Sequence, residues 1–151
     1  MPERKFLGVK GSYDFQIIKD LPNVEIVENS PDILSTYRRT RILLMPSAYE
    51  SWGRTATEAM CSGIPVICTP TPGLKENCGG AGIFVGEPLV NPTPGEPCVI
   101  RGKVSDWVKA IRSLDDPETY KKYSLLSRKR AQALDPLADL EKFEQFLYST
   151  L

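Results

Sequence analysis

With 151 residues the chain has the size of one domain and enough length to bury a core. Its 41% hydrophobic and 25% charged residues are ordinary for a globular protein, and 19 basic against 19 acidic side chains leave no net field to attract nucleic acid or anionic lipid. No apolar run approaches membrane-spanning length and the start, MPERKFLGVKG, is not a signal peptide, so a cytoplasmic location is expected.

In chain order, residues 5–9 predict a short strand, 13–21 a weak helix or irregular connection, and 24–27 a second strand. Ser30-Pro31-Asp32 predicts a helix start, with Ser as N-cap, Pro at the first helical position and an acid in the first turn. Ile33, Leu34 and Tyr37 would be its packing face. Residues 41–45 form a third strand, stopped by Pro46. A polar loop then carries Glu50 to Gly53, and a helix of small residues spans about 55–62 with Gly63 at its C-cap. Residues 65–69 are the fourth strand, Pro72-Gly73 opens another helix, and 83–85 are the fifth strand. Strands alternating with helices imply right-handed parallel crossovers and an α/β, Rossmann-like sheet flanked by helices.

The stretch 86–103, rich in Pro and Gly, reads as a loop. Three helices follow. Ser105 caps the first, with Trp107, Val108 and Ile111 as its inner face. Asp116-Pro117 and Asp135-Pro136 repeat one start signal for the other two. The middle helix carries Lys121, Lys122, Arg128, Lys129 and Arg130. A solvated face is favoured there over a membrane-surface patch, because Tyr120, Tyr123 and Leu134 form an opposite apolar stripe. The last helix sets Leu140, Phe143, Phe146, Leu147 and Leu151 over a broad face that needs a cover. The organisation expected is a single domain over 1–151, with the sheet at 5–86, the loop at 87–104 and the helices at 105–151.

The stretch 45–80 is the centre of this plan. In open α/β sheets ligands sit beyond the carboxyl ends of the strands, so the helix starting near Thr55 points its unpaired N–H groups at that crevice. Gly53 would let a phosphate approach the backbone. Ala56, Ala59 and Met60 share one helix face and Glu58 falls on the other, where its carboxylate suits bidentate bonding to a sugar diol. A lone Glu on an exposed helix is usually only solvated. The pairing of Glu50 with Glu58 across a glycine-bearing loop between two strands reverses that judgement.

These residues carry a resemblance. PSAYESWG (46–53) and TEAMCSGIPVICTPTPGLKE (57–76) resemble the second-domain signature of the GT-B glycosyltransferases, in the retaining group called family 4 or group 1. Its hallmarks are two glutamates with seven residues between them, matched by Glu50 and Glu58, and an EAM-x-x-G-x-P-V run, matched by Glu58 to Val66. The resemblance spans about residues 5–133. It implies that Glu58 binds the ribose hydroxyls of a nucleoside-diphosphate sugar and that Glu50, the catalytic-site residue, contacts the donor sugar. Backbone amides around Ser51, Trp52, Gly53, Arg54 and Thr55 would hold the diphosphate, and Gly73 and Leu74 would approach the sugar. Trp52 stands where the family more often has Phe, and a phosphate contact from Arg54 is weighed equally against a surface role.

Exclusions sharpen that picture. The chain has no histidine, which removes Ser-His-Asp and Cys-His nucleophile systems and His-based zinc sites, and counts against a sugar-nucleotide epimerase of related fold. It has no Asp-x-Asp, the metal-dependent sugar-nucleotide motif, so neither a metal nor another cofactor is expected. The four cysteines, Cys61, Cys68, Cys78 and Cys98, lack C-x-x-C spacing and read as reduced structural thiols.

Against the family pattern the chain reads as truncated on its N-terminal side. The acceptor-binding first domain is missing, as is the first strand–helix unit of the second, which carries an Arg and a Lys for the diphosphate. In the strand order 3-2-1-4-5-6 that lost strand is central. The gap between strands 5–9 and 41–45 is expected to close by direct pairing, or to be filled by homodimerisation or strand exchange. The function expected is donor binding for retaining glycosyl transfer, inactive without its acceptor-binding domain or partner chain. The alternative is a non-catalytic nucleotide-sugar-binding or interaction module.

Overall fold

The computed structural model describes residues 4–9, 19–27, 32–87 and 102–150. The helix or connection expected at 13–21 falls mostly outside them, as do Cys98 and most of the 86–103 loop. The chain divides into two compact units, Met1–Thr40 and Arg41–Leu151.

In the first unit, β1 (Phe6–Val9) pairs in parallel with β2 (Val24–Val27), Phe6 opposite Val24 and Val9 opposite Val27. Helix α1 (Ile33–Arg39) follows. Its cap is Asp32, whose carboxylate accepts from the Ser35 amide at 3.2 Å, and not Ser30 as expected from the sequence. Thr36 and Tyr37 are its buried residues while Leu34 is 57% exposed, so Tyr37 of the expected packing face is buried and Leu34 is not. Arg39 pairs with Glu25 at 2.6 Å, and the hydrogen bond and positive charge hold the Glu25 carboxyl below its ordinary range.

The second unit is a three-stranded parallel sheet, β3 (Leu43–Met45), β4 (Val66–Cys68) and β5 (Gly82–Phe84), in that order. Registers Leu44–Ile67–Ile83 and Leu43–Val66–Gly82 fix which side chains share a face. The Leu44, Ile67 and Ile83 row packs with Trp107, Ala110 and Ile111 of α4 (Val104–Ser113) and with Tyr120 and Tyr123 of α5 (Pro117–Ala133), around buried Val85 and Leu114. The opposite row faces α2 (Arg54–Cys61) and α3 (Pro72–Cys78), which is why Ala56, Ala59, Met60, Leu74 and Cys78 are fully buried. Val108, expected on the inner face of α4, lies at its edge, and the cap of α4 is Lys103, two residues before Ser105.

Helix α5 does more than present a basic face. Arg130 donates to the carbonyls of Asn77 (2.7 Å) and Glu76 (2.6 Å) at the end of α3, Ser124 donates to Gly63 O beyond α2 (2.7 Å), and Arg128 lies against Gly63. Two of the five cations expected to be solvated therefore answer helix C-termini, where carbonyls lack partners and positive charge is favoured. A guanidinium–ring contact of 4.1 Å between Arg41 and Tyr120, and a bond from the Tyr120 hydroxyl to Arg41 O, anchor the other end of α5. In α6 (Pro136–Thr150) the apolar face is exposed, with Phe143 at 57% and Phe146 at 60%. No helix among the described residues is long and apolar enough to cross a membrane.

The start signal at Asp116 carries a pH signature. The Thr119 hydroxyl (2.7 Å) and amide (2.8 Å) both donate to its carboxylate, and these bonds hold its pKa below the ordinary 3.8. A group with a depressed folded pKa contributes fully above its unfolded value and loses that contribution as pH falls through the lowered one. Thermal melts should therefore show Asp116→Ala with a lower Tm than the unaltered chain at pH 7. The gap should narrow as the pH drops below about 4.

Candidate functional site

Parallel pairing of β3 with β4 brings the loops that follow them, 46–53 and 69–71, out of the same edge of the sheet. Thr69 ties the two together: its amide (3.2 Å) and hydroxyl (3.4 Å) donate to Met45 O. The Thr71 amide donates to Thr69 O at 2.8 Å, the Thr71 hydroxyl accepts from the Leu74 amide at 3.3 Å, and Pro72 occupies the first turn. Helix α3 is thus capped and aimed within three residues of the strand.

Its first turn meets the 46–53 loop backbone to backbone. A Cβ on Gly73 would collide with the carbonyl of Ser51 and lie 2.6 Å from Glu50 O. Only glycine allows the two loops to touch. The second close approach is at Gly53, the N-cap of α2, held at φ +87°, where a Cβ would come within 2.5 Å of Leu74 Cδ2 and 3.3 Å of Glu50 Cγ. The left-handed conformation and the space both demand glycine there.

A third tie was not legible to the sequence reading. Asn77 is fully buried on the inner face of α3, beside Leu74 and Cys78. Its amide donates to Trp52 O and Gly53 O, each at 2.9 Å, and its carbonyl accepts from the Thr57 hydroxyl at 3.1 Å. Gly53 O also accepts from the Ala56 and Thr57 amides (2.8 and 3.3 Å), so removing Asn77 would chiefly take the donor from the Trp52 carbonyl, a penalty of about 1–3 kcal/mol. The available signal was an Asn inside a helix on an otherwise apolar stripe, where a polar group persists only if it is bonded.

The structure gathers Glu50, Ser51, Trp52, Gly53, Gly73 and Leu74 into one interlocked cluster. Glu50 is half-buried, with its aliphatic part against Gly53, and Ser51 is exposed. Leu74 is fully buried beneath Gly53, so it supports the loop from below. Arg54, Thr55 and Glu58 join the cluster through α2 alone, where all three are exposed on the face opposite buried Ala56, Ala59 and Met60. Beneath the cluster the buried thiols of Cys68 and Cys78 share a hydrogen bond, which with burial pushes the Cys68 thiol well up. Among the described residues no group of three or more Cys, Asp or Glu is placed to hold a metal ion.

This is the Rossmann-like fold of the GT-B glycosyltransferases. Residues 18–85 match the family model of glycosyl transferases group 1. D-inositol 3-phosphate glycosyltransferase of Paenarthrobacter aurescens is 29% identical over 143 residues, covering 87% of this chain and 32% of the relative. The chain therefore spans about a third of that protein. Sucrose-phosphate synthase from Thermosynechococcus elongatus is similar in structure over 100% of this chain and 40% of its own (TM-score 0.73, 23% identity). Anabaena HepE, solved in complex with UDP and glucose, is similar over 85% of this chain and 33% of its own (TM-score 0.67, 20% identity).

The backbone contact at Gly73 has a measurable cost if obstructed. Gly73→Ala should lower unfolding free energy by about 2 kcal/mol in urea titrations, as overpacking against backbone does. Gly80, whose Cβ would meet nothing within 4 Å, supplies the control, and Gly80→Ala should leave stability within about 0.5 kcal/mol.

Proposed function

We propose that this chain is the donor-binding half of a retaining glycosyltransferase that uses a nucleoside-diphosphate sugar. The observation that carries the reading is the interlock of the 50–53 loop with α2 and α3, which bears Glu50 in the loop and leads directly to the exposed Glu58 on α2. Glu58 binds the ribose diol with its carboxylate as a bidentate acceptor. Glu50 positions the sugar. The amides of Ser51 to Thr55 receive the diphosphate at the start of α2, where negative charge is favoured.

In the reaction the bond between the sugar's anomeric carbon and the diphosphate oxygen breaks, the diphosphate leaves with the electron pair, and the acceptor oxygen bonds the anomeric carbon on the same face while its proton passes to the departing diphosphate. Stabilising the departing charge by fixed amides is the electrostatic contribution expected of such a site, with no metal required. The acceptor enters from a separate first domain or partner chain. The uncovered apolar face of α6 is its natural contact, since six large apolar side chains there lie 44% exposed or more. Alone, the chain binds donor without transferring it.

A thermal-shift and calorimetric panel of UDP, GDP and ADP with their sugars tests this. One base should raise Tm, and Glu58→Ala should weaken its binding by about tenfold or more, a loss of at least 1.4 kcal/mol. No shift with any of them, or an unchanged affinity in the variant, contradicts the reading. Sugar transfer by the isolated chain contradicts its inactivity.

A further inference from the structure

The bonds made by Asn77 do more than fill a buried gap. In a trans peptide the carbonyl and the following N–H point in opposite directions. The Trp52 carbonyl is drawn inward to the Asn77 amide at 2.9 Å, and the Gly53 carbonyl is held by the same amide (2.9 Å) together with the Ala56 and Thr57 amides of α2 (2.8 and 3.3 Å), so the N–H groups of Gly53 and Arg54 are both turned away from Asn77, toward the outer side of the loop. These two amides lie at the start of α2, where no intrahelical acceptor exists for them. Gly53 is left-handed (φ 87°, ψ 59°) and the helix begins at Arg54, an arrangement whose successive N–H groups converge into an anion-binding concavity.

Asn is suited to this task in a way that Leu or Asp is not. It needs two donors for two carbonyls and one acceptor to fix which way the amide faces. The Thr57 hydroxyl supplies the partner for that acceptor at 3.1 Å, and Thr57 belongs to the helix that the loop leads into. The side chain is fully buried, so water does not compete for these bonds. Its own backbone carbonyl is held by Arg130 at 2.7 Å, which pins Asn77 from the far side.

We infer that Asn77 is a positioning residue of the donor site, turning the Gly53 amide toward the diphosphate of the nucleotide sugar beside the Arg54 amide, which the start of α2 also orients. The inference rests on the donor-site reading above. It assigns Asn77 a role on the phosphates and none on the ribose or base.

That division gives the test. The full chain and Asn77→Ala are titrated with UDP and with uridine, following backbone amide resonances. UDP is the probe because HepE was solved with it; if the panel above selects another base, that diphosphate and its nucleoside replace the pair. In the unaltered chain the Gly53 and Arg54 amide protons should move downfield with UDP and stay in place with uridine. In Asn77→Ala, UDP affinity should fall about tenfold while uridine affinity holds. Equal weakening of both ligands would reveal a merely structural role and overturn the inference, as would unchanged UDP affinity. Stationary Gly53 and Arg54 resonances overturn it even where the variant fails to fold. If no diphosphate of the panel binds the unaltered chain, it is the donor-site reading itself that fails.

Discussion

Two backbone carbonyls, those of Glu50 and Ser51, rest where the side chain of residue 73 would be if it had one. Much else in the second unit follows from that contact. Parallel neighbours β3 and β4 deliver the two loops to one edge, and a capped, proline-initiated α3 turns back at once after its strand. With no Cβ at Gly73 the loop settles directly on the helix. Leu74 then floors Gly53, and Asn77 draws in the next two carbonyls. Three successive side-chain choices on one helix, none, apolar and amide, fix a loop that has no regular structure of its own.

The charges of the unit are arranged around the same contact. Helices α2 and α3 both begin at the carboxyl edge of the sheet, so their positive ends share that side. Their carboxyl ends lie against α5, where Arg130 bonds the last carbonyls of α3 and Arg128 lies against Gly63 beyond α2. The cations of α5 thus serve the far ends of the helices, while the near end of α3 is covered by the 46–53 loop. The polar groups buried in between, among them Thr69, Thr71 and Asn77, are bonded, which is what makes their burial tolerable.

The fold and the loop were legible in the sequence because short-range rules govern them. Strand 24–27 was read to the residue, and Asp116-Pro117 starts α5 as its cap chemistry dictates. Ala56, Ala59 and Met60 share the buried face that a period of 3.6 residues assigns them. Where two cap signals competed, the reading failed. Ser30 and Ser105 looked like N-caps, yet Asp32 caps α1, and α4 starts after Lys103, which makes no side-chain cap bond. Arg130 was read as part of a solvated charge run, because its partners are carbonyls more than fifty residues away in sequence. Asn77 was invisible for the same reason: its value lies in a loop more than twenty residues upstream.

A crystal structure of the chain with a nucleoside-diphosphate sugar tests the central claim most directly. The account predicts the ribose hydroxyls on the Glu58 carboxylate, the diphosphate on the amides at Gly53 and Arg54, and the sugar beside Glu50, with the loop unmoved on Gly73. A donor bound elsewhere, or one that lifts the loop off Gly73 to enter, would contradict it.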